Sequence, residues 1–201
     1  MATRRRGEEL EATILSAAWD ELTENGWAKL TIEGVAARAA TGKQVIYRRW
    51  ASRGLLAIAA MRHHFGPMIT AVPDTGSLRD DLLDVMRRMA ARGRQYPPDM
   101  LHGLLAEMPG LEGEFFSTLP GVVAAILRQA AVRGEITDAV LPDRVVSLPI
   151  DLVRYQGLRA PIRWTDVSDA DLDKAFAEIL DDVVLPLVMT YAGPRPPRPQ
   201  A

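Results

Sequence analysis

The sequence predicts an all-α protein in two parts. The first is a small N-terminal domain of three helices built around a helix-turn-helix. The second is a larger helical bundle that forms a homodimer through its last two long helices. Three observations carry this expectation. Apolar residues recur at three- and four-residue spacing along most of the chain, and no convincing stretch alternates at the two-residue period of a strand. The segment TIEGVAARAATGKQVIYRRW at 31–50 reads as two short helices with a tight break between them. The last helix is apolar on two sides, whereas a surface helix of a single-chain bundle needs one stripe.

Composition bounds the rest. Of 201 residues, 48% are hydrophobic and 25% charged, as in ordinary globular chains. No apolar run approaches the roughly 20 residues of a membrane span, and MATRRRGEELEA lacks the apolar core of a signal peptide. The absence of cysteine excludes disulfides and thiolate metal sites and fits a cytoplasmic location. The net charge of −2 conceals an asymmetry. Residues 1–64 hold 10 Lys and Arg against 7 Asp and Glu, a net of +3, while the remainder carries −5. A basic head on an acidic body suits nucleic-acid contact at one end only.

In order along the chain, Thr3–Arg6 is a short basic arm, either solvated or reaching a minor groove. The first helix spans about Glu8–Asn25, with Leu10, Ile14, Ala18 and Leu22 every four residues and Leu15, Ala17 and Trp19 widening the stripe. Gly26 ends it, and Trp27 belongs to the core. Thr31 caps the next helix, which buries Ile32, Val35, Ala36 and Ala39. After a break at Ala40–Gly42, a helix over about Lys43–Arg49 turns Ile46 inward and leaves Lys43, Gln44, Tyr47 and Arg48 outside; Trp50 also faces in. A cation, an amide, a phenol and a guanidinium on one short helix match the chemistry of a DNA major groove.

These residues carry a resemblance. ILSAAWDELTENGWAKLTIEGVAARA at 14–39 and GKQVIYRRWASRGLL at 42–56 resemble the DNA-binding domain of the TetR family of bacterial repressors, over residues 8–64. The pattern departs at Ala40, where the family usually has glycine, at Thr41, and at Val45, often a phosphate-contacting threonine. The resemblance implies phosphate contacts from Tyr47 and from Arg53, with Thr31 a further candidate, and base contacts from Lys43 and Gln44. The full expected DNA-facing set is Thr31, Thr41, Gly42, Lys43, Gln44, Val45, Tyr47, Arg48 and Arg53. The expected partners are a double-stranded operator, a second copy of the chain and a small hydrophobic effector, with no membrane.

Ser52 caps a helix to about His64, which in the family links head to body; Gly66–Pro67 breaks it. The expected division is 1–64, 65–192 and a disordered Pro-rich tail at 193–201. Ser77 caps a helix ending near Gly93, and Pro97–Pro98 starts a short one closed by Pro109–Gly110. A long helix from about Glu112 is kinked by Pro120 and ended by Gly134. Asp143–Leu158 follows, interrupted by Pro149, then an irregular connection holding Trp164, and Ser168 caps the last helix. Its residues Leu172, Phe176, Ile179 and Val183 are expected to face the body. Leu180, Val184 and Val188, with Val146 and Val153, face a partner or the centre of a larger core. The resemblance implies the partner, in a four-helix intersubunit bundle.

An adaptable effector pocket is expected from Met61, Phe65, Met68, Met86, Met89 and Met100. Leu104, Met108, Phe116, Val123 and Tyr155 complete that set. Each methionine taken singly is better explained as core. No metalloprotease helix, phosphate-binding glycine loop or nucleophile elbow occurs, so neither catalysis nor a cofactor is expected. His63 and His64 are adjacent and cannot share a metal from one helix face. The carboxylates at Asp80–Asp81, Asp169–Asp173 and Asp181–Asp182 read as solvated helix faces.

Overall fold

The computed structural model describes residues 2–67, 69–97, 99–107, 118–158 and 167–193. Their regular structure is helical, with no strand among the described residues. They form two compact units, one from residues 1–68 and 96–115 and the other from 69–95 and 116–201.

The first unit contains α1 (Ala2–Asn25), a 3-10 turn (Trp27–Lys29), α2 (Ile32–Arg38), α3 (Lys43–Tyr47) and α4 (Arg53–Phe65). α1 lies along α4, and Ile14, Ala18, Leu22, Leu56, Ala57 and Ala60 are all fully buried. The small alanines let the two backbones approach closely, while each buried Leu or Ile contributes about 1.5–3 kcal/mol. α1 begins at Ala2, not near Glu8, so the basic stretch at 3–6 continues the helix. The helix runs through Gly7, and arginine is a good helix former.

α5 (Leu78–Gly93) belongs to the second unit, but α6 (Met100–Glu107) returns to the first. Met100 and Leu104, each 1% exposed, enter the same hydrophobic core as α1–α4. A division by chain position at 64/65 would assign α6 to the other part.

The second unit is built from α5, α7 (Leu119–Arg133), α8 (Asp143–Leu158), α9 (Asp169–Ile179), a π-helical turn (Leu180–Val184) and α10 (Leu185–Ala192). Ser77 and Ser168 accept hydrogen bonds from the amides of Asp80 (3.0 Å) and Asp171 (3.1 Å), caps that contribute about 1 kcal/mol each. Pro120 sits in the first turn of α7, where its missing N–H has no helical acceptor to lose. α8 runs on through Pro149. Gly134 ends α7 in the left-handed conformation, φ 77°. The expected helix start near Glu112, the Pro109–Gly110 stop, Trp164 and the tail beyond Gly193 lie outside the described residues.

The π turn decides which side of the last helix is inside. Leu172, Phe176, Leu180, Val184, Val188 and Ala192 recur every four residues, and none is more than 8% exposed. In a straight α-helix a four-residue step overshoots one turn by about 40°, so this stripe would drift by about 200° over five steps. At the π turn the amide of Leu185 bonds the carbonyl of Leu180, five residues back, and the extra residue returns about 100° of that drift. Pro186, with no N–H to donate, follows at once. Of the two placements expected for Leu180, Val184 and Val188, a partner seam or the centre of a core, their burial within the single chain matches the second. They point into the chain's own core, as does Val153, and Val146 is half-buried. Val183 (45% exposed) and Tyr191 (42%) occupy the outward side.

Charge pairing fixes the register of α5 against the last helix. Arg79 holds Asp181 at 2.7 and 2.8 Å, and Arg87 holds Asp173 at 2.8 and 3.0 Å. Arg94 pairs with Asp169 and donates to the carbonyl of Val167. Bidentate geometry specifies register, although exposed pairs contribute only about 0.2–1 kcal/mol each. These aspartates are thus partnered and not merely solvated. Asp81 departs further from expectation, because it is fully buried. Its carboxylate accepts from the amide and hydroxyl of Thr75 (2.6 and 2.8 Å) and from Arg133 (2.8 Å). Arg133 also bonds Asp74 and Glu135, and Glu135 accepts from the amide of Leu78. The network supplies the compensation that a buried carboxylate requires.

Candidate nucleic-acid interface

The break between α2 and α3 is a complete Schellman turn. The amide of Thr41 bonds the carbonyl of Ala36 (2.9 Å), and that of Ala40 bonds Ala37 (3.2 Å). Ala40 must adopt φ 49° to close it, the one positive-φ non-glycine among the described residues. At the other end of α2, Thr31 accepts the amide of Gly34 at 3.0 Å. α2 is pinned inward by Ile32, Val35 and Ala36, and α3 by Ile46, which is fully buried, and by Trp50 beyond it.

With those inner faces fixed, Lys43, Gln44, Tyr47 and Arg48 are exposed, Tyr47 at 49%. They share one short helix with its N-terminus free of any side-chain cap; Gly42 stands at the cap position in open space. Lys43 reaches Glu33 across the turn at 3.3 Å, both side chains being well exposed. A hydrogen bond to its own backbone amide, together with Lys43, holds the Glu33 carboxyl below the usual range. Thr31 is exposed at the start of α2, and its hydroxyl proton remains available for a phosphate oxygen. Thr41 is half-buried.

Two expected DNA contacts are placed differently. Val45 packs against the core of the unit, as a β-branched apolar side chain does when an apolar surface is available. Arg53 donates to the carbonyls of Leu30 (2.8 Å) and Trp27 (3.3 Å), and its guanidinium lies 4.9 Å from the centre of the Trp27 ring. The carbonyls of Trp27 and Leu30 give one nitrogen of Arg53 two acceptors within the protein, so its donors are engaged there. Arg49 turns back to Glu11 and the carbonyl of Gly7, away from the reading face. Arg38 likewise pairs with Glu24 and Glu21; its hydrogen bond holds the Glu24 carboxyl below its ordinary range.

The residues expected to line one effector pocket fall in different units. Met61, Met100 and Leu104 are buried in the first, with Phe65 packed against them, and Met86, Met89 and Val123 are buried in the second. Tyr155 is 61% exposed. Met68, Met108 and Phe116 lie outside the described residues. Helical spacing marks a residue as inward-facing but carries no information on which core receives it.

A support for the interface was missed altogether. The amide of Trp27 donates to Asp99, 72 residues away, at 3.1 Å, and Gly103 of α6 lies on the Trp27 indole. The signal was present in Gly103, a glycine inside a short helix, which often marks a close approach.

The models of two protein families match this chain. One, described as bacterial regulatory proteins of the tetR family, covers residues 14–60; the other, described as tetracyclin repressor-like, C-terminal domain, covers residues 72–179. An uncharacterised HTH-type transcriptional regulator of Mycobacterium tuberculosis is 28% identical over 193 residues, 91% of this chain and 90% of that protein. A DNA-binding transcriptional repressor, TetR, of Mycobacteroides abscessus is 34% identical over 103 residues, 51% of this chain and 54% of that one. A crystal structure of a TetR family transcription regulator superposes with a TM-score of 0.63 at 27% identity, covering 87% of this chain and 98% of that one.

Proposed function

This chain belongs to the TetR family of bacterial transcriptional regulators, and we propose that it is a repressor that binds a two-half-site operator as a homodimer and is released by a small hydrophobic effector held in its second unit. The observation that carries the DNA-binding part is the face of α3. Its apolar residues are committed to the core, leaving Lys43, Gln44, Tyr47 and Arg48 for the groove. Lys43 and Gln44 in the first turn suit base edges, and Tyr47 suits a phosphate. The repressor reading takes support from the name of the Mycobacteroides abscessus relative. The dimer reading takes support from the outward apolar side chains Tyr155, Val183 and Tyr191, since regulators of this family commonly act as dimers. The effector reading rests on the tetracyclin repressor-like match over residues 72–179.

The test is enrichment of bound sequences from random duplex DNA, followed by measurement of affinity for the enriched site and for random DNA over a range of salt. Enrichment of an inverted repeat is expected. Gln44→Ala should weaken the enriched site by about 1–3 kcal/mol while sparing random DNA. Equal losses on both DNAs would defeat the base-reading role, and failure to enrich any sequence would defeat the operator model. Release of the enriched site on adding a compound that also raises the melting temperature would identify an effector.

A further inference from the structure

We infer that the DNA-reading unit is assembled from two separated stretches of chain, with Asp99 and Gly103 of the α6 segment positioning the reading helices through Trp27 and Arg53. The inference rests on the DNA-binding reading above and adds to it a set of positioning residues outside the helix-turn-helix.

The geometry converges on Trp27, which is 4% exposed. Asp99 Oδ2 accepts its backbone N–H at 3.1 Å, and the same carboxylate lies 3.1 Å from where a Cβ on Gly26 would stand. Gly26 has φ 76°, so the bend out of α1 is made where Asp99 holds it. At Gly103 a Cβ would meet Trp27 Cδ1 at 2.0 Å and Nε1 at 2.3 Å, so the α6 backbone rests on the indole and no side chain fits between. On Trp27 in turn lies the Arg53 guanidinium, whose Nη1 bonds the carbonyls of Trp27 and Leu30. Leu30 directly precedes Thr31, the cap of α2, and Arg53 is the first residue of α4. One connected set of contacts thus joins α6, the exit of α1, the entrance of α2 and the start of α4. A rigid entrance to α2 sets the angle at which α3 is presented, on which base contacts depend and simple phosphate attraction does not.

The experiment uses the full chain and the enriched site. Affinities for that site and for random duplex are measured over a salt series for the wild type, Asp99→Ala, Asp99→Asn, Arg53→Lys and Arg53→Ala, each shown to be folded by circular dichroism. Asp99→Ala should lower the ratio of specific to random affinity about tenfold, with the salt slope unchanged, because no phosphate contact is lost. Asp99→Asn should restore most of the ratio, since an amide oxygen still accepts from the Trp27 N–H. Arg53→Lys keeps the charge but loses the planar guanidinium that lies on the Trp27 ring, so it should lower the ratio as well; it reads the same contact if Asp99→Ala fails to fold. For Arg53→Ala the slope should hold. A slope reduced by about one would put Arg53 on a phosphate and overturn its positioning role. A folded Asp99→Ala chain with the wild-type ratio would overturn the inference while leaving the functional reading intact. A wild type with no sequence preference would overturn both.

Discussion

A pair of adjacent substitutions separates folding from assembly in the last helix. Val183 and Val184 are about 100° apart around its axis, the first 45% exposed and the second 1%. Val184→Asp removes a buried side chain that contributes about 1.5–3 kcal/mol and leaves an unpaired carboxylate in the same place, for a total cost of about 3–5 kcal/mol. Against a typical stability of about 5–15 kcal/mol, that should lower the urea midpoint sharply. Val183→Asp should change the folding of a single chain by less than about 0.5 kcal/mol. If the outward side of this helix is the seam, Val183→Asp should instead yield folded monomers that have lost high-affinity binding to a two-half-site operator. The assay is urea unfolding by far-UV circular dichroism, with light scattering at matched low protein concentration, because assembly also contributes to apparent stability. A Val184→Asp chain that is monomeric yet retains the wild-type midpoint would refute this assignment, and the seam would then run over Leu180, Val184 and Val188.

Two further outcomes follow from single residues. Ala40→Gly relieves a left-handed conformation that strains alanine by about 1–2 kcal/mol, less what glycine loses in chain entropy, so it should stabilise the first unit by about 0.5–1 kcal/mol. A thermal melt showing no gain would mean that the turn relaxes around alanine. Arg133→Ala removes the arginine partner of the fully buried Asp81 and should cost about 3–5 kcal/mol. Adding Asp81→Asn should recover part of that loss, and an unchanged melting temperature for Arg133→Ala alone would refute the network's role.

The local features of this protein were legible in the order of its residues. Thr31, Ser52, Ser77 and Ser168 each accept the backbone amide three positions on, as their placement before an apolar periodic run implies. Ala40 takes the left-handed turn, and Ile46 and Trp50 are buried while Lys43, Gln44, Tyr47 and Arg48 are exposed. These outcomes depend on hydrogen bonds and helical phase within about four residues, so the sequence alone decides them. Tertiary structure decided the rest. It put Val184 inside and Val183 outside, because a π turn shifts the phase of the stripe. It drew Arg53 onto two carbonyls, paired Arg79, Arg87 and Arg94 with aspartates 75 to 102 residues away, and brought Gly103 against Trp27. For the arginines the side chain had two chemically adequate uses, water or phosphate on one hand and a protein partner on the other. The choice fell to whichever distant segment the packing of the core brought within reach.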